Sequence, residues 1–432
     1  MKKFFTLSLC SLLFSAAAMA EEPNITLLEG GASYGGFMPE CISANGQYVG
    51  GSTFMQALFM SEWEQQNTFV AIEGSKFDNM GAEIRSITND GLGVGFDDNG
   101  ALTVNFANQE ITYLTKVSKD LISDAVCDGV SADGSIAVGY IYPKGGAATA
   151  AYWENGTPNI LPLPTPEEIG FYYEGSRALL ISDDAQTIVG FVVDKLSTKP
   201  MVIWHRQADG SYVCDPVCKN YFCLPTELNN EFIRFTPKSL SHNGKLVLMQ
   251  VSYTTAEEWD NVHLAYYDIE KDELNISPVS IPTASFIDSM LHSISDNGTS
   301  VGYFETEEGR KSFIMYASDM QPRLLSEEYP LPAFELFTEN GENAVSGISA
   351  DGRYISGMGT DYSTAFNTYY FVGYVLDRGV EDEESGVEAI DTDNAINEIT
   401  EIYTIDGIKV SEPVKGINII RSSDGKVKKV LY

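Results

Sequence analysis

Seven serine or threonine residues recur along the chain, each followed two positions later by aspartate or asparagine. They are Ser43, Thr88, Ser131, Ser182, Ser241, Ser295 and Ser349. A hydroxyl next to a carboxylate can act as an activated nucleophile, but catalysis needs one such pair and this chain has seven. The same side chains also satisfy backbone groups in tight turns. We therefore predict structural roles for them and no catalytic residue.

Histidines and clustered acids are the other candidates for chemistry. The histidines, His205, His242, His263 and His292, show no metal-binding spacing. The acidic stretches 97–100 and 391–394 are too short and irregular for an EF-hand loop. We predict no metal site and no cofactor, with calcium left open as a bound cation.

Aromatic and acidic residues gather in the irregular stretches between the apolar runs. A flat ring is a low-entropy apolar contact for a sugar or a peptide, and function concentrates on loops held by a rigid scaffold. The alternative for each ring is packing inside the fold. The predicted ligand-binding residues are Phe171, Tyr172, Tyr173, Phe235, Trp259, Asp260, Phe334 and Tyr362.

The repeated serines belong to a longer motif that must position those loops. An apolar residue precedes each Ser or Thr, and glycine follows the Asp or Asn in every copy except the fourth, which has Ala185. Asn-Gly and Asp-Gly between apolar runs indicate a hairpin with a type I′ turn. The copies lie 43 to 59 residues apart, so each repeat forms one supersecondary unit.

Two further apolar runs follow each motif, which gives four strands per repeat. Seven such repeats without helical periodicity predict an all-β fold, a seven-bladed β-propeller followed by a small C-terminal β module. The seventh repeat lacks a fourth strand, and we expect residues 24–29 to complete it. The Asp-Gly turns then lie on one face, the turn face. The loops between second and third strands and the connections between blades lie on the other, the long-loop face.

The succession Ile-Ser-x-Asp-Gly, Val-Gly and Ala-x-x-Trp resembles the HAF-type extracellular repeat of secreted bacterial proteins, over about residues 24–377. The resemblance implies an exported propeller scaffold and names no activity.

The N-terminus and the overall charge indicate export. Residues 1–20 combine Lys2 and Lys3, an apolar run and Ala-Met-Ala, a pattern typical of a secretory signal peptide. No later run is long enough for a transmembrane segment. A net charge of −34 repels phosphate backbones and argues against nucleic acid as a partner. Export also favours a disulfide among the closely spaced Cys214, Cys218 and Cys223.

The domain boundaries follow from composition. We predict a propeller over 21–377, an acidic linker over 378–393 and a β module over 394–432. The module resembles the C-terminal sorting domain of the type IX secretion system of Bacteroidetes. The matching features are Tyr403–Gly407, the run at 415–420 and the basic end at 426–429. The resemblance implies delivery to the outer cell surface through the export machinery. A plain β module without a sorting role is the alternative.

These observations predict a secreted or cell-surface propeller that binds a carbohydrate, peptide or protein ligand on its long-loop face, and not an enzyme. A carbohydrate-active hydrolase or lyase with acidic residues on the same face is the first alternative. A structural component of a surface layer is the second. Two carboxylates close together at the channel mouth would favour the enzyme, and an uncharged, aromatic-lined mouth would favour binding.

Overall fold

A computed structural model describes residues 22–71, 81–114, 122–169, 172–194, 200–215, 232–254, 261–281, 292–306, 309–339, 343–363, 368–379, 399–404, 409–410, 417–422 and 427–431. Seven four-stranded antiparallel sheets form the blades of a propeller, and an eighth sheet forms the C-terminal module. The all-β, seven-bladed architecture predicted from the repeats is confirmed. Within the ranges given above, no helix is long and apolar enough to cross a membrane.

The strands follow the chain in order, and the first blade begins at the second strand. The strands of blades one to four are β2 (Phe37–Ile42), β3 (Tyr48–Thr53), β4 (Leu58–Glu62), β5 (Asn67–Ala71), β6 (Glu83–Ile87), β7 (Leu92–Asp97), β8 (Gly100–Asn105), β9 (Glu110–Tyr113), β10 (Ile122–Val130), β11 (Ile136–Pro143), β12 (Thr149–Glu154), β13 (Thr157–Ile160), β14 (Tyr173–Ile181), β15 (Thr187–Asp194), β16 (Met201–Arg206) and β17 (Tyr212–Asp215).

The later blades repeat the pattern. The strands of blades five to seven and of the module are β18 (Phe232–Leu240), β19 (Leu246–Thr254), β20 (Asn261–Asp268), β21 (Glu273–Ser280), β22 (His292–Ile294), β23 (Ser300–Thr306), β24 (Gly309–Met315), β25 (Arg323–Leu324), β26 (Asn343–Ile348), β27 (Tyr354–Ser363), β28 (Thr368–Asp377), β29 (Ile399–Thr404), β30 (Lys409–Val410), β31 (Ile417–Ser422) and β32 (Val427–Leu431). The described helices are short: Pro166–Ile169, Leu325–Glu328 and Pro332–Glu339.

The ring closes through the N-terminal strand β1 (Asn24–Leu27). It pairs antiparallel with β28 and supplies the fourth strand of the seventh blade. Leu28 continues the contact, because its backbone N–H donates to the Gly373 carbonyl at 2.8 Å and its side chain is buried. This is the closure expected from the sequence, and it covers a sheet edge that would otherwise be open.

The repeated hydroxyl holds the turn between the first two strands. The Ser131 Oγ donates to Asp133 Oδ1 at 2.7 Å and accepts from the Ile136 N–H at 3.1 Å. The same two bonds form at Ser43, Thr88, Ser182, Ser241 and Ser349. The structural role predicted for these residues is confirmed, because the hydroxyl donates to its own turn.

The turn geometry differs from the one expected. The six motif glycines have φ between 71° and 83°, and Ala185 has φ 57°, while the preceding Asp or Asn is not left-handed. The glycine N–H bonds to the serine carbonyl three residues earlier, as Gly134 does with Ser131 at 2.9 Å. A type I′ turn would need two left-handed residues, so that prediction was wrong. The side-chain bonds stabilise a turn with one left-handed residue instead.

Neighbouring blades are joined at the turn face and by apolar contacts. Asp183 accepts a backbone bond from Ala132 at 3.0 Å and donates one to His242 at 2.8 Å. Ala350 donates to Ala44 in the same way across the closure, at 2.8 Å. The buried apolar clusters each span adjacent blades. The core therefore lies between blades and leaves the axis of the ring as a channel.

The C-terminal module is a four-stranded sheet with the order β30-β29-β31-β32. Among the cysteines, the thiols of Cys41 and Cys127 are free, and Cys127 is buried. Cys214 lies on β17, whereas Cys218 and Cys223 fall outside the described residues. The predicted disulfide among these three stays a prediction.

Candidate functional site

In six of the seven blades, one position of the repeat lines the channel. It lies three residues before the motif Ser or Thr, on the innermost strand of each blade. In every blade but the sixth, the register with the second strand shifts at this residue, which marks a β-bulge. A bulge re-aims the side chain of its extra residue. The bulged residues are Glu40, Arg85, Asp128, Leu179, Lys238 and Ser346.

The Val-Gly pair on the second strand makes room for the bulge. A Cβ on Gly139 would lie 2.0 Å from the Val126 carbonyl oxygen, which is closer than real Cβ atoms approach. A Cβ on Gly95 would lie 1.8 Å from the Glu83 carbonyl oxygen in the second blade. The glycines therefore permit the bulged strand to approach, and they link a sequence signature to the channel lining.

Two cavities lie in the channel and meet at this ring of bulges. The cavity at the long-loop end has a volume of about 560 Å³, and the one at the turn end has about 240 Å³. The six residues that line both cavities are the six bulged residues. The larger cavity, which we call the mouth cavity, falls within the size of ligand pockets in proteins. Residues from all seven blades line it.

The mouth cavity is charged and carries both signs. Its carboxylates are Glu40, Glu83 and Asp128, and its cations are Arg85, Arg177, Lys238 and Arg310. The Arg85 Nε lies 2.5 Å from Glu83 Oε2 in an ion pair. This lining is not the uncharged, aromatic-lined mouth that would favour binding. It brings three carboxyl groups into one cavity together with four cations.

The carboxyl groups at the bottom of the cavity hold their protons unusually tightly. Burial, helped by the charge of Glu83, raises the pKa of Glu40 to about 8 against the opposing effect of Arg85. Burial also raises the pKa of Asp128 to about 6, although Arg85 and Arg177 lower it. At neutral pH the Glu40 carboxyl is therefore mainly protonated and can donate a hydrogen bond.

Three arginines of the cavity rest on aromatic rings. The guanidinium carbon of Arg177 lies 4.4 Å from the centroid of Tyr140. The same atom of Arg85 lies 5.4 Å from the Phe96 ring. The third pair is Arg310 and Tyr303, at 5.3 Å. Stacking on a ring stabilises the cation and fixes the plane of its donors.

Two of the three neighbouring aromatic residues predicted to bind a ligand, Tyr172 and Tyr173, lie within the described structure. Tyr172 is 69% exposed just before β14 on the long-loop face, where the prediction placed it. Tyr173 is half-buried, and its hydroxyl donates to the Pro164 carbonyl at 2.8 Å. Phe171 lies outside the described residues. Ligand contact by Tyr172 and Tyr173 stays a prediction.

Phe334 belongs to the core, so its prediction as a ligand-binding residue was wrong. It is 1% exposed on the helix Pro332–Glu339, and its ring packs 5.7 Å from Tyr374 and 6.4 Å from Phe337. The helix turns the apolar face of this connection inward, between the sixth and seventh blades.

The other four predicted residues are not tested. Phe235 lies on β18 and Tyr362 on β27, but the side chains of both fall outside the described part of the structure. Trp259 and Asp260 lie wholly outside it.

The acidic stretch at 97–100 forms the tight turn between β7 and β8. Asp97 accepts from the Asn99 N–H at 2.6 Å and from the Tyr113 hydroxyl at 2.7 Å, so its oxygens serve the turn. Residues 391–394 lie outside the described residues. Within the part of the chain that the structure describes, no three His, Cys, Asp or Glu side chains form a group suited to a metal ion.

The four charged members of the bulged residues, which we call the charged ring, were not predicted from the sequence, because the site was expected in the irregular loops. They are Glu40, Arg85, Asp128 and Lys238. The signal was present in the repeat, because the third residue before each motif Ser or Thr is often charged in an otherwise apolar strand. Aligning the copies at this column yields Glu40, Arg85, Asp128, Lys238 and also His292, whose side chain is not described.

Comparison with known proteins names no family. No family model matches the chain, and no curated protein matches it. Similar solved structures include TolB from Acinetobacter baumannii, at 14% identity and TM-score 0.41, covering 65% of this chain and 63% of that one. An oligogalacturonate lyase in complex with manganese matches at 12% identity and TM-score 0.49, over 82% of this chain and 90% of that one.

Prolyl oligopeptidase B from Galerina marginata, bound to a 35mer hydrolysis and macrocyclization substrate, matches at 11% identity and TM-score 0.42. That match covers 94% of this chain and 56% of the other. This chain thus spans less than two thirds of the TolB and oligopeptidase chains. Likenesses at this level carry no argument about function.

Proposed function

We propose that this protein is an exported recognition module that binds its ligand in the mouth cavity at the long-loop end of the channel. The observation that carries the proposal is the cavity of about 560 Å³ with its mixed charged lining. Convergent polar groups in a preformed concave site are the usual mark of a ligand pocket.

The construction of the site supports binding. Most of its residues lie on the first and second strands of the blades, which are paired in four-stranded sheets. Backbone bonds join adjacent blades at the opposite face, such as Asp183 to His242 at 2.8 Å. A rigid frame loses little entropy when a ligand enters, so the preformed cavity is suited to recognition.

An enzyme with acidic catalytic residues is the second candidate, and one observation favours it. Glu40 and Asp128 line the same cavity, and their pKa values are raised to about 8 and about 6. A protonated and an ionised carboxyl in one site can act as general acid and general base. The hydrolase or lyase expected as the alternative would use this pair.

A screen of the full exported chain against glycan and peptide arrays separates the two candidates, with mass spectrometry of recovered ligands as the readout. Binding with unchanged ligand masses supports recognition. Cleavage that is lost in both Glu40→Gln and Asp128→Asn supports the enzyme and contradicts the recognition proposal. Cleavage unchanged in both variants contradicts the assignment of catalysis to this pair.

For the route of export, we propose a signal peptide over residues 1–20 and a sorting role for the C-terminal module. The support is sequence resemblance together with a separate four-stranded sheet, β29 to β32, at the end of the chain. Deleting residues 394–432 should leave the propeller folded and prevent surface delivery in the native host. Surface labelling and fractionation measure this, and normal delivery of the truncated chain would contradict the sorting role.

A further inference from the structure

The mouth cavity is locally positive in a strongly acidic protein. The chain carries 61 acidic against 27 basic residues, whereas the cavity holds four cations and three carboxylates. The cavity carries both signs with the cations in excess, and an excess of one sign between low-dielectric walls attracts the opposite charge. The excess of cations at this place therefore selects for an anionic ligand.

The arginines are suited to a carboxylate or a sulfate. Arg177 stacks on Tyr140 and Arg85 stacks on Phe96, so the ring covers one face of each guanidinium and fixes its plane. The Nε of Arg85 is already paired with Glu83. The terminal amine of Arg177 donates to the Tyr142 hydroxyl at 3.3 Å, and its Nε has no acceptor among the described residues. A planar, fixed guanidinium recognises an oxyanion with two parallel bonds.

Exposed aromatic rings lie on the long-loop face at the junction of the first and seventh blades. Phe54, in the loop between β3 and β4, is 61% exposed, and its ring lies 5.8 Å from that of Phe371. Phe371 packs against the apolar cluster that contains Met358 and Ala344, two residues of the cavity lining. Tyr369, two residues along the same strand, is 58% exposed. A flat exposed ring on the face where the cavity opens suits the apolar face of a sugar.

We propose that the ligand is an acidic saccharide whose carboxylate or sulfate is held by Arg85 and Arg177 while a sugar ring packs on Phe54. This inference rests on the proposed function, because it names the ligand class for the same cavity. Glu83 and Asp128 accept hydrogen bonds from sugar hydroxyls in this arrangement. An acidic peptide has the charge but not the apolar ring face, and it is an outcome of the test.

The test is isothermal titration of the full exported chain with four probes. They are a glucuronate-containing tetrasaccharide, its carboxyl-reduced form, a sulfated tetrasaccharide and a glutamate-rich peptide of equal charge. We expect at least one acidic saccharide to bind. The affinity of the carboxyl-reduced form should be at least about tenfold lower, because a charge-assisted bond is lost. Comparing the carboxylate and sulfate probes identifies the anionic group.

Arginine variants connect that affinity to the cavity. Arg177→Ala should weaken binding about 10- to 100-fold, and Arg177→Lys should weaken it less. The matched control is Arg206→Ala, because Arg206 also stacks on a ring, Tyr212 at 5.9 Å, but lies on the third strand of the fourth blade and outside both cavities. The control should bind as the parent does. Unchanged melting temperatures show that the variants are folded.

Three results of the titrations with the four probes would overturn the inference. They are equal affinity for the acidic and reduced saccharides, stronger binding of the peptide, and no binding of either acidic saccharide. The array screen tests the proposed function independently. A neutral ligand bound at the mouth would support recognition and contradict the proposal that the ligand is acidic. An Arg177→Ala variant that binds the acidic saccharide as the parent does would also contradict the inference that Arg177 holds its anionic group.

Discussion

The guanidinium of Arg177, on the innermost strand of the fourth blade, stacks at 4.4 Å on Tyr140 of the third blade. The pair joins two blades at the channel wall. It places a fixed cation beside Asp128, whose pKa it lowers against the effect of burial. A single contact thus connects the assembly of the ring with the electrostatics of the mouth cavity.

Removing the ring beneath Arg177 should weaken ligand binding. In Tyr140→Leu the guanidinium loses its stacking partner and gains rotational freedom, so we expect about threefold to tenfold weaker binding of an anionic ligand. Tyr140→Phe keeps the ring and should bind as the parent does. Titration of both variants measures this, and equal affinity in Tyr140→Leu would show that stacking does not position Arg177.

Glu40 should make the stability of the protein depend on pH. Its pKa rises from 4.5 to about 8 on folding, so the folded state holds the proton more tightly than the unfolded chain. Its contribution to stability is complete below pH 4.5 and is lost as the pH rises towards 8. Glu40→Gln mimics the protonated form, so its melting temperature should exceed that of the parent by several degrees at pH 8.5 and match it near pH 4.5.

Melting curves across this pH range measure the effect. Glu64→Gln, at an exposed position of the first blade, controls for the loss of a carboxylate. A difference between Glu40→Gln and the parent that is the same at pH 4.5 and 8.5 would contradict the raised pKa.

Gly139 should tolerate no side chain. Its Cβ would lie 2.0 Å from the Val126 carbonyl, so Gly139→Ala must push the bulged strand away and should cost about 3 kcal/mol or more. Gly156 has φ 75° with nothing within 4 Å of its Cβ. Gly156→Ala should therefore cost only about 1 kcal/mol, from backbone strain. Denaturant unfolding compares the two, and equal losses would exclude the steric explanation.

The N-terminal closure should contribute strongly to stability. Leu28 is 5% exposed, whereas its neighbour Leu27 is 41% exposed. We expect Leu28→Ala to lower the free energy of unfolding by about 2–4 kcal/mol and Leu27→Ala by less than about 1 kcal/mol. Deleting residues 22–30 should destabilise more than either. A deletion variant that unfolds like the parent would show that β1 is dispensable for the ring.

The repeat was sufficient to predict the architecture. Hydroxyl, Asp and Gly at fixed spacing specify a turn, and seven copies specify seven blades. The closure by residues 24–27 followed from counting strands. The turn type was not predicted, because the sequence pattern does not show which backbone groups the serine hydroxyl bonds. Phe334 was misassigned because sequence alone does not tell an exposed loop aromatic from one on a short buried helix.

The position of the charged residues in the channel could not be predicted from the sequence for a different reason. Successive side chains of a strand point alternately into the channel and away from it. The bulge at Asp128 shifts the register by one residue, so the direction of this side chain does not follow from its position in the sequence. The charged residues at this position were visible in the aligned copies, but whether their side chains point into the channel was not. Arg310, on the third strand of the sixth blade, reaches the same cavity with no signal in the repeat.

Hydrogen–deuterium exchange with and without a ligand from the array screen tests the central claim most directly. If the ligand binds in the mouth cavity, protection will concentrate in the inner strands that line it, in peptides covering Phe37–Ile42, Glu83–Ile87 and Tyr173–Ile181. The outer strand β13 will be unaffected. Protection confined to outer strands, to the turn face or to the C-terminal module would contradict a binding site at the mouth of the channel.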